Sequence, residues 1–533
     1  EKLRKLGMTV IPIDFLPMNE ISEEIGRDYP YMYWRSGQKI LAAARYIGRT
    51  PNLFAVYLTN FSCGPDSYIT KFFEKEMHGK PYLALEIDEH SADVGMQTRC
   101  EAFIDTIKNA HNLATKSSHT SSTVPLATMS RNGRTIYIPY MDDHGFIIAS
   151  AFRSAGIKAQ ALPPSDDESL IIGRKYTSGR ECFPSIITTG DIIKKSNCSD
   201  FKAEHSAFFM PTAKGPCRFG QYNKLHRMVL DEIGLTDVPL VTFDQTADFH
   251  KDMAVLGSAK FKKNIWRGLV LLDLLQKLAR ETRPYETTKG QTNQIYAETF
   301  ANLQKFIESA PRENGKIEDF TKDAVKRFDE IKTDHSKPRP KIGVIGEIYV
   351  RSNPFTNNHV IKRMEDLGAE VALPPFEEWL DYIDYIREED YLLKNDYLNY
   401  LKQKITLVFQ EREANKIKKH FKGKIRNFHY ESPTSVVIKH GSAYVEPALR
   451  GEAVLSLGRA EEYIHAGFNA ILNIIPFGCM PGNIVTALLK RFKDEYNIPV
   501  LTMTVDGIKN PGEEMRLEAF VRQAAEMLNA PKH

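Results

Sequence analysis

A chain of 533 residues is more than one hydrophobic core supports, so three or four domains are expected. A net charge of +3 on 26% charged residues argues against nucleic acid or another polyanion as partner. No apolar run reaches membrane-spanning length and no leader-like segment opens the chain, so six cysteines read as reduced thiols of a cytoplasmic protein.

The opening EKLRKLGMTVIPIDFLP reads as a helix end feeding a strand, without an initiator Met, and suggests a piece of a longer polypeptide. A unit of short β-rich run, Gly/Pro corner, amphipathic helix and second strand then recurs. It appears at 53–88, 135–163, 206–243, 341–375 and 470–507. Such alternation predicts βαβ units, hence an α/β fold: several Rossmann/flavodoxin-like parallel-sheet domains with helical insertions. Ligands of such sheets sit at the carboxyl ends of the strands, where the corners fall. The expected domains are an α/β lobe at 1–125, an α/β domain at 126–250, a helical segment at 251–337, and an α/β lobe at 338–533.

Within the last lobe, 377–424 is predicted as a helical insert. Its first half, FEEWLDYIDYIREEDYLLKND, is acidic with interleaved aromatics, and its second half, EREANKIKKHFKGKIR, is basic. Both faces are either solvated or a docking surface for a partner. The first and last α/β units also resemble each other. Asp88 matches Asp506, Arg99 matches Arg516, and Glu101-Ala102-Phe103 matches Glu518-Ala519-Phe520. The Arg and Glu are expected to form a structural ion pair at a helix start.

Four cysteines share one setting: Cys63 in SCGPDS, Cys182 in RECFPS, Cys217 in GPCRFG and Cys479 in GCMPGN. Each has a Pro within two positions and precedes a helix-like run. Free N–H groups and the dipole of a helix N-terminus lower a thiol's pKa and donate to sulfur, which suits thiolate ligands of a metal or an iron–sulfur cluster. No zinc spacing is present, and ligands scattered from 63 to 479 must be gathered by the fold. The alternative is four small core residues without chemistry. Cys100 reads as a packing residue and Cys198 as a loop thiol.

Other polar groups carry weaker signals. His144 follows a strand end, as a general acid or ligand would, or as a solvated loop residue would. Glu347, Tyr349 and Arg351 alternate along GEIYVRSN and are expected on one face of a strand. Arg180 and Arg218 each lie within two positions of a candidate cysteine, where they would offset the charge of a thiolate-bound cluster. Lys260, Lys262, Lys263 and Arg267 form a basic cluster, either a solvated helix end or a phosphate contact for a CoA tail.

On NFSCGPDSYI, DEHSADVGMQTRCEAF, SGRECFPSIITTGD, FFMPTAKGPCRFGQYN, WRGLVLLDLL with RPYE, GEIYVRSNPFTNNHV, PFGCMPGNIV and RLEAF, which span almost the whole chain, the sequence resembles the 2-hydroxyacyl-CoA dehydratase and benzoyl-CoA reductase superfamily. Within it, the similarity is to the iron–sulfur portion of the large activase-related, ATPase-fused proteins. The resemblance implies Rossmann-like lobes around a low-potential cluster, ligated by Cys63, Cys182, Cys217 and Cys479. It also implies an ATP-hydrolysing activase, fused upstream or separate, that drives single electrons into this module. Radical dehydration of 2-hydroxyacyl-CoA thioesters or reduction of a small molecule would follow.

Two features depart from the family. The chain has no GxxxxGK[ST] loop, so this segment is not expected to bind ATP. Family dehydratases hold a 4Fe–4S cluster by three thiolates; four here would saturate the cubane as an electron relay. A double-cubane 8Fe–9S cluster would need Cys100 and Cys198 as well, and ranks below a single 4Fe–4S cluster. The remaining alternatives are a non-redox scaffold that retains the fold and an acyl-CoA binding module. A homodimer is compatible with each.

Overall fold

The computed structural model describes residues 1–60, 63–88, 91–109, 124–125, 133–213, 215–242, 259–309, 314–426 and 432–529. Among these, strands form three sheets in which every pairing is parallel, with a helix described between every two consecutive strands except Val124–Pro125 and Thr135–Ile138. The chain is therefore an α/β protein with helical insertions.

Strands β1 (Ala55–Asn60) and β2 (Tyr82–Ile87) pair alone. The second sheet runs β3-β7-β6-β4-β5, from Val124–Pro125, Leu240–Thr242, Ser206–Phe209, Thr135–Ile138 and Ala159–Ala161. The strand at Val124–Pro125 thus belongs to the second sheet although it falls within the first expected domain. The third sheet runs β11-β10-β8-β9, from Val500–Val505, Ala470–Pro476, Lys341–Gly346 and Glu370–Ala372. β10 is buried along its whole length because helices cover both sheet faces, which is why it reads as an apolar run broken only by Asn473.

The second and third sheets repeat one design. Orders β7-β6-β4-β5 and β11-β10-β8-β9 are the same path through the chain, and each includes a pair of helices packed backbone to backbone. In one pair, Asp167–Tyr176 and Phe183–Ser196, a Cβ on Gly190 would lie 1.7 Å from the Ser169 carbonyl oxygen. In the other, Thr434–Gly441 and Ala453–His465, a Cβ on Gly458 would lie 1.9 Å from the Val437 oxygen. Only glycine permits these approaches.

The likeness of the first and last units is also structural, but its arginines act differently from the expected ion pair. Arg99 donates to the Ala84 carbonyl at 2.7 Å and Arg516 to the Thr502 carbonyl at 3.3 Å. Each acceptor is the third residue of its strand, so the arginine ties the following helix to the strand edge. Glu101 accepts from Gln97 instead.

The helical segment contains Ala259–Thr282, Gln291–Glu308 and Asn314–Asp329. Leu269, Leu271, Leu272, Leu274, Leu275 and Leu278 of the first are all buried, so it is a core helix, packed on the His144–Ser154 helix and on the edge strand Glu370–Ala372 of the third sheet. The insert is a hairpin of Phe376–Leu393 and Tyr397–Phe421. No described helix is long and apolar enough to cross a membrane.

One local expectation is corrected. β8 ends at Gly346, whose φ of +115° turns the chain, and Ile348–Ser352 is helical. Glu347 caps that helix by accepting from the Val350 N–H at 2.9 Å, so Glu347, Tyr349 and Arg351 do not share a strand face.

Candidate metal centre

Each of the four cysteines is the N-cap residue of a helix. Cys63 precedes Gly64–Glu76, Cys182 precedes Phe183–Ser196, Cys217 precedes the 3-10 turn Arg218–Gln221, and Cys479 precedes Met480–Tyr496. All four hold extended backbone angles there, and Pro falls in the first two positions of three of these helices. Cys63, Cys217 and Cys479 occupy the same place in three related units, after β1, β6 and β10. Cys182 enters from the second helix of the glycine-packed pair.

Arg218 joins three of the corners. It directly follows Cys217 and is 6% exposed. Its guanidinium donates to Ser67 Oγ at 2.9 Å, one turn into the Cys63 helix. It also donates to the carbonyls of Gly478 at 3.0 Å and Phe477 at 3.3 Å, immediately before Cys479. A Cβ added to Gly64 would lie 3.3 Å from that same Gly478 oxygen, so the Cys63 and Cys479 corners abut.

Two tyrosines bring in the fourth. Tyr222 Oη lies 2.6 Å from Cys182 Sγ and Tyr68 Oη lies 3.6 Å from it. The two rings stack in parallel planes with centroids 6.0 Å apart. Each tyrosine stands five residues after a corner cysteine, in CGPDSY and CRFGQY. That shared C-x4-Y spacing is the sequence signal that would have revealed them.

At Cys63, Cys217 and Cys479 burial outweighs the helix N-terminus in setting the thiol pKa. Cys479 is pushed up to about 12 by burial, with Glu347 adding to it and the Gly482 N–H and Arg218 opposing. Cys217 is raised by burial and by Cys479, and Cys63 by burial, against the N–H groups of Phe219 and Asp66. The expected depression of these three thiols is therefore reversed, because removing a thiolate from water outweighs the N–H groups pointing at it. The carboxyl of Glu452 is raised to about 8 by burial and by Glu347, while it accepts from the Ile348 N–H at 3.1 Å.

Among the described residues, no three cysteine sulfurs lie within 4.8 Å of one another, the spacing that would mark ligands of a single ion. The chain matches no protein-family model and no curated protein.

The other sequence-derived candidates fall elsewhere. Arg180 is exposed and turns to Glu86 of β2 at 3.1 Å, so of the two arginines Arg218 alone binds the corners. Cys100 packs in an apolar cluster with Leu83, Leu85, Phe103 and Ile107. Cys198 is exposed beyond the far end of the helix that Cys182 begins, about 20 Å away along its axis. Neither stands with the other four, which leaves the six-thiolate set without two of its members.

His144 is neither a loop residue nor exposed. It opens the His144–Ser154 helix and is buried against Phe376, with Nε2 2.8 Å from Asp273 Oδ1. Burial disfavours its protonation, but Asp273, with Asp142 and Asp143 beyond, holds its pKa above the ordinary value. Of the basic cluster, Arg267 and Lys263 pair with Glu413 inside the protein, which consumes the charge a phosphate would use.

Proposed function

We propose that this chain is an iron–sulfur module of the 2-hydroxyacyl-CoA dehydratase and benzoyl-CoA reductase type, accepting low-potential electrons from an ATP-dependent activase. The observation that carries the reading is Arg218. A buried cation that binds two corners and follows the cysteine of a third is what an anionic, thiolate-bound cluster requires for charge balance. An all-apolar core of the same shape would have no use for it.

Cys63, Cys182, Cys217 and Cys479 would hold a 4Fe–4S cluster, which supplies one-electron chemistry at low potential when bound. The residues of the chain do the rest. Burial of Cys182 and Cys479 excludes water and lowers the local dielectric. The N–H groups of Asp66, Phe219 and Gly482 and the hydroxyls of Tyr222 and Tyr68 address the sulfurs, and such bonds set the potential. ATP hydrolysis would come from the activase, and the electron would serve dehydration of a 2-hydroxyacyl-CoA or reduction of a small molecule.

Anaerobic purification and reconstitution test this. The expected product is brown, with about four irons and matching sulfide per chain and a paramagnetic signal on reduction. Cys63→Ser, Cys217→Ser and Cys479→Ser should each lose most of the iron, whereas Cys100→Ser and Cys198→Ser should keep it. A colourless, iron-free protein under these conditions overturns the reading, and about eight irons per chain would replace the single cubane with a double one.

A further inference from the structure

The insert hairpin is built inside out. Between its two helices lie polar groups: Arg387 donates to Asp384 at 2.6 Å, Gln403 is 1% exposed beside them, and Lys404 reaches back to Glu388 at 2.7 Å. On the opposite side of Tyr397–Phe421, Tyr397, Leu398, Leu401, Ile405, Val408 and Phe409 are each 58–66% exposed. At 100° per residue these six fall in a stripe about 120° wide, centred directly across the helix from Gln403. Farther along, Ala414, Ile417 and Phe421 lie on the Gln403 side and are buried in the core, so only the first half of the helix carries the bare stripe.

The stripe is symmetric in sequence. Tyr397 and Phe409, Leu398 and Val408, and Leu401 and Ile405 stand six, five and two residues to either side of position 403. A second copy of the helix, laid antiparallel across the first with a two-fold axis at position 403, sets each member of a pair at the level of the other. That is the condition for an isologous interface, in which residue i meets j and j meets i. The six side chains offer roughly 700 Å² of apolar surface per chain, against about 800 Å² per partner in a standard interface. Some of the acidic and basic charges that the sequence placed on this hairpin pair with each other across it, as in Glu377–Lys418 and Glu388–Lys404, while Lys402, Glu411 and Arg412 stay exposed around the stripe.

We propose that the chain forms a two-fold symmetric homodimer through this stripe, with the Tyr397–Phe421 helices antiparallel and Leu401 of each chain beside Ile405 of the other. The interface is independent of the cysteine corners and does not depend on their chemistry.

Light scattering after size exclusion, run across protein concentration, reads the result. The wild-type chain is expected at twice the monomer mass at micromolar concentration. Leu401→Glu with Ile405→Glu should be monomeric, with the dissociation constant raised ~100-fold or more because four carboxylates enter an apolar seam. Both positions are exposed, so the circular dichroism spectrum should stay that of the wild type, and the thermal midpoint should match the wild type's at concentrations low enough for it to be monomeric too. In a Cys198→Ser background, L401C/I405C should oxidise to a covalent dimer, whereas L401C alone should cross-link far less. A monomeric wild type at all concentrations, including one that instead binds lipid vesicles, overturns the proposal. So does a dimer that survives the double glutamate variant, or a cysteine pair that fails to cross-link.

Discussion

The Arg218 guanidinium binds the carbonyl oxygen of Gly478 at 3.0 Å, across 260 positions of sequence, and so fastens the peptide that turns the chain into Cys479. A charged donor serving carbonyls on a second domain acts as a clasp between the second and third sheets. Replacing it with Met keeps much of the volume and removes every donor. Charge-assisted hydrogen bonds are worth about 1.5–3 kcal/mol each, so Arg218→Met should speed alkylation of Cys479 in metal-free protein at least tenfold. Lys cannot reach Ser67 and both carbonyls together, so Arg218→Lys should fall between. Mass-spectrometric thiol labelling measures this directly, and an unchanged Cys479 rate would show that Arg218 does not hold the corner.

The Tyr222 hydroxyl, 2.6 Å from Cys182 Sγ, bears on the redox proposal. A hydrogen bond to a bound thiolate favours the reduced, more negative cluster. Tyr222→Phe removes the donor while keeping the ring that stacks on Tyr68. The reconstituted variant should therefore retain its iron and show a more negative reduction potential in a titration followed by paramagnetic resonance. A potential equal to the wild type's would remove Cys182 from the ligand set.

The strand-to-helix corners were legible because each is a local event. A Pro near the cysteine and an apolar strand before it are enough to place an N-cap. Arg180 and Arg218 could not be separated that way, since both lie within two positions of a cysteine. What separates them is that Arg218 is the first residue of a turn aimed at the neighbouring domain, while Arg180 follows Gly179, whose φ of +77° turns the loop toward β2. GEIYVRSN looked extended because Ile, Tyr and Val favour strands. The left-handed φ at Gly346 and the Glu347 cap override that preference, and neither is visible in alternation. The thiol pKa direction was missed for a related reason: sequence supplies the helix N-terminus, but burial is a property of the assembled domains.

Gly190 makes a sharp test of the repeated helix pair. In an exposed helix interior, Gly→Ala stabilises by up to about 1 kcal/mol. Here the added methyl would meet the Ser169 carbonyl at 1.7 Å, and backbone cannot yield as a side chain does. Gly190→Ala should therefore destabilise by roughly 3 kcal/mol, seen as a lower thermal midpoint, with Gly458→Ala behaving alike. Stabilisation by either would mean that the two helices stand farther apart.

Asp191, in the Cys182 helix, gives a pH prediction that the cysteines do not enter. Its carboxyl is 5% exposed, accepts from Ser165 Oγ at 2.8 Å, and is raised by burial to about 6. A folded-state pKa above the unfolded value means the native protein holds this proton more tightly. The contribution to stability is therefore complete below about pH 4 and is lost as pH rises through about 6. A shift of this size corresponds to about 3 kcal/mol. Asp191→Asn keeps the shape and never ionises, so it should match the wild type near pH 4 and exceed it increasingly up to about pH 6.5, after which the gap levels off. Asp143, also raised to about 6, is common to both proteins and cancels in the comparison. Thermal midpoints of the two proteins across that range decide the matter: a difference that stays constant from pH 4 to 7 would mean that the Asp191 carboxyl is ionised in the native fold throughout.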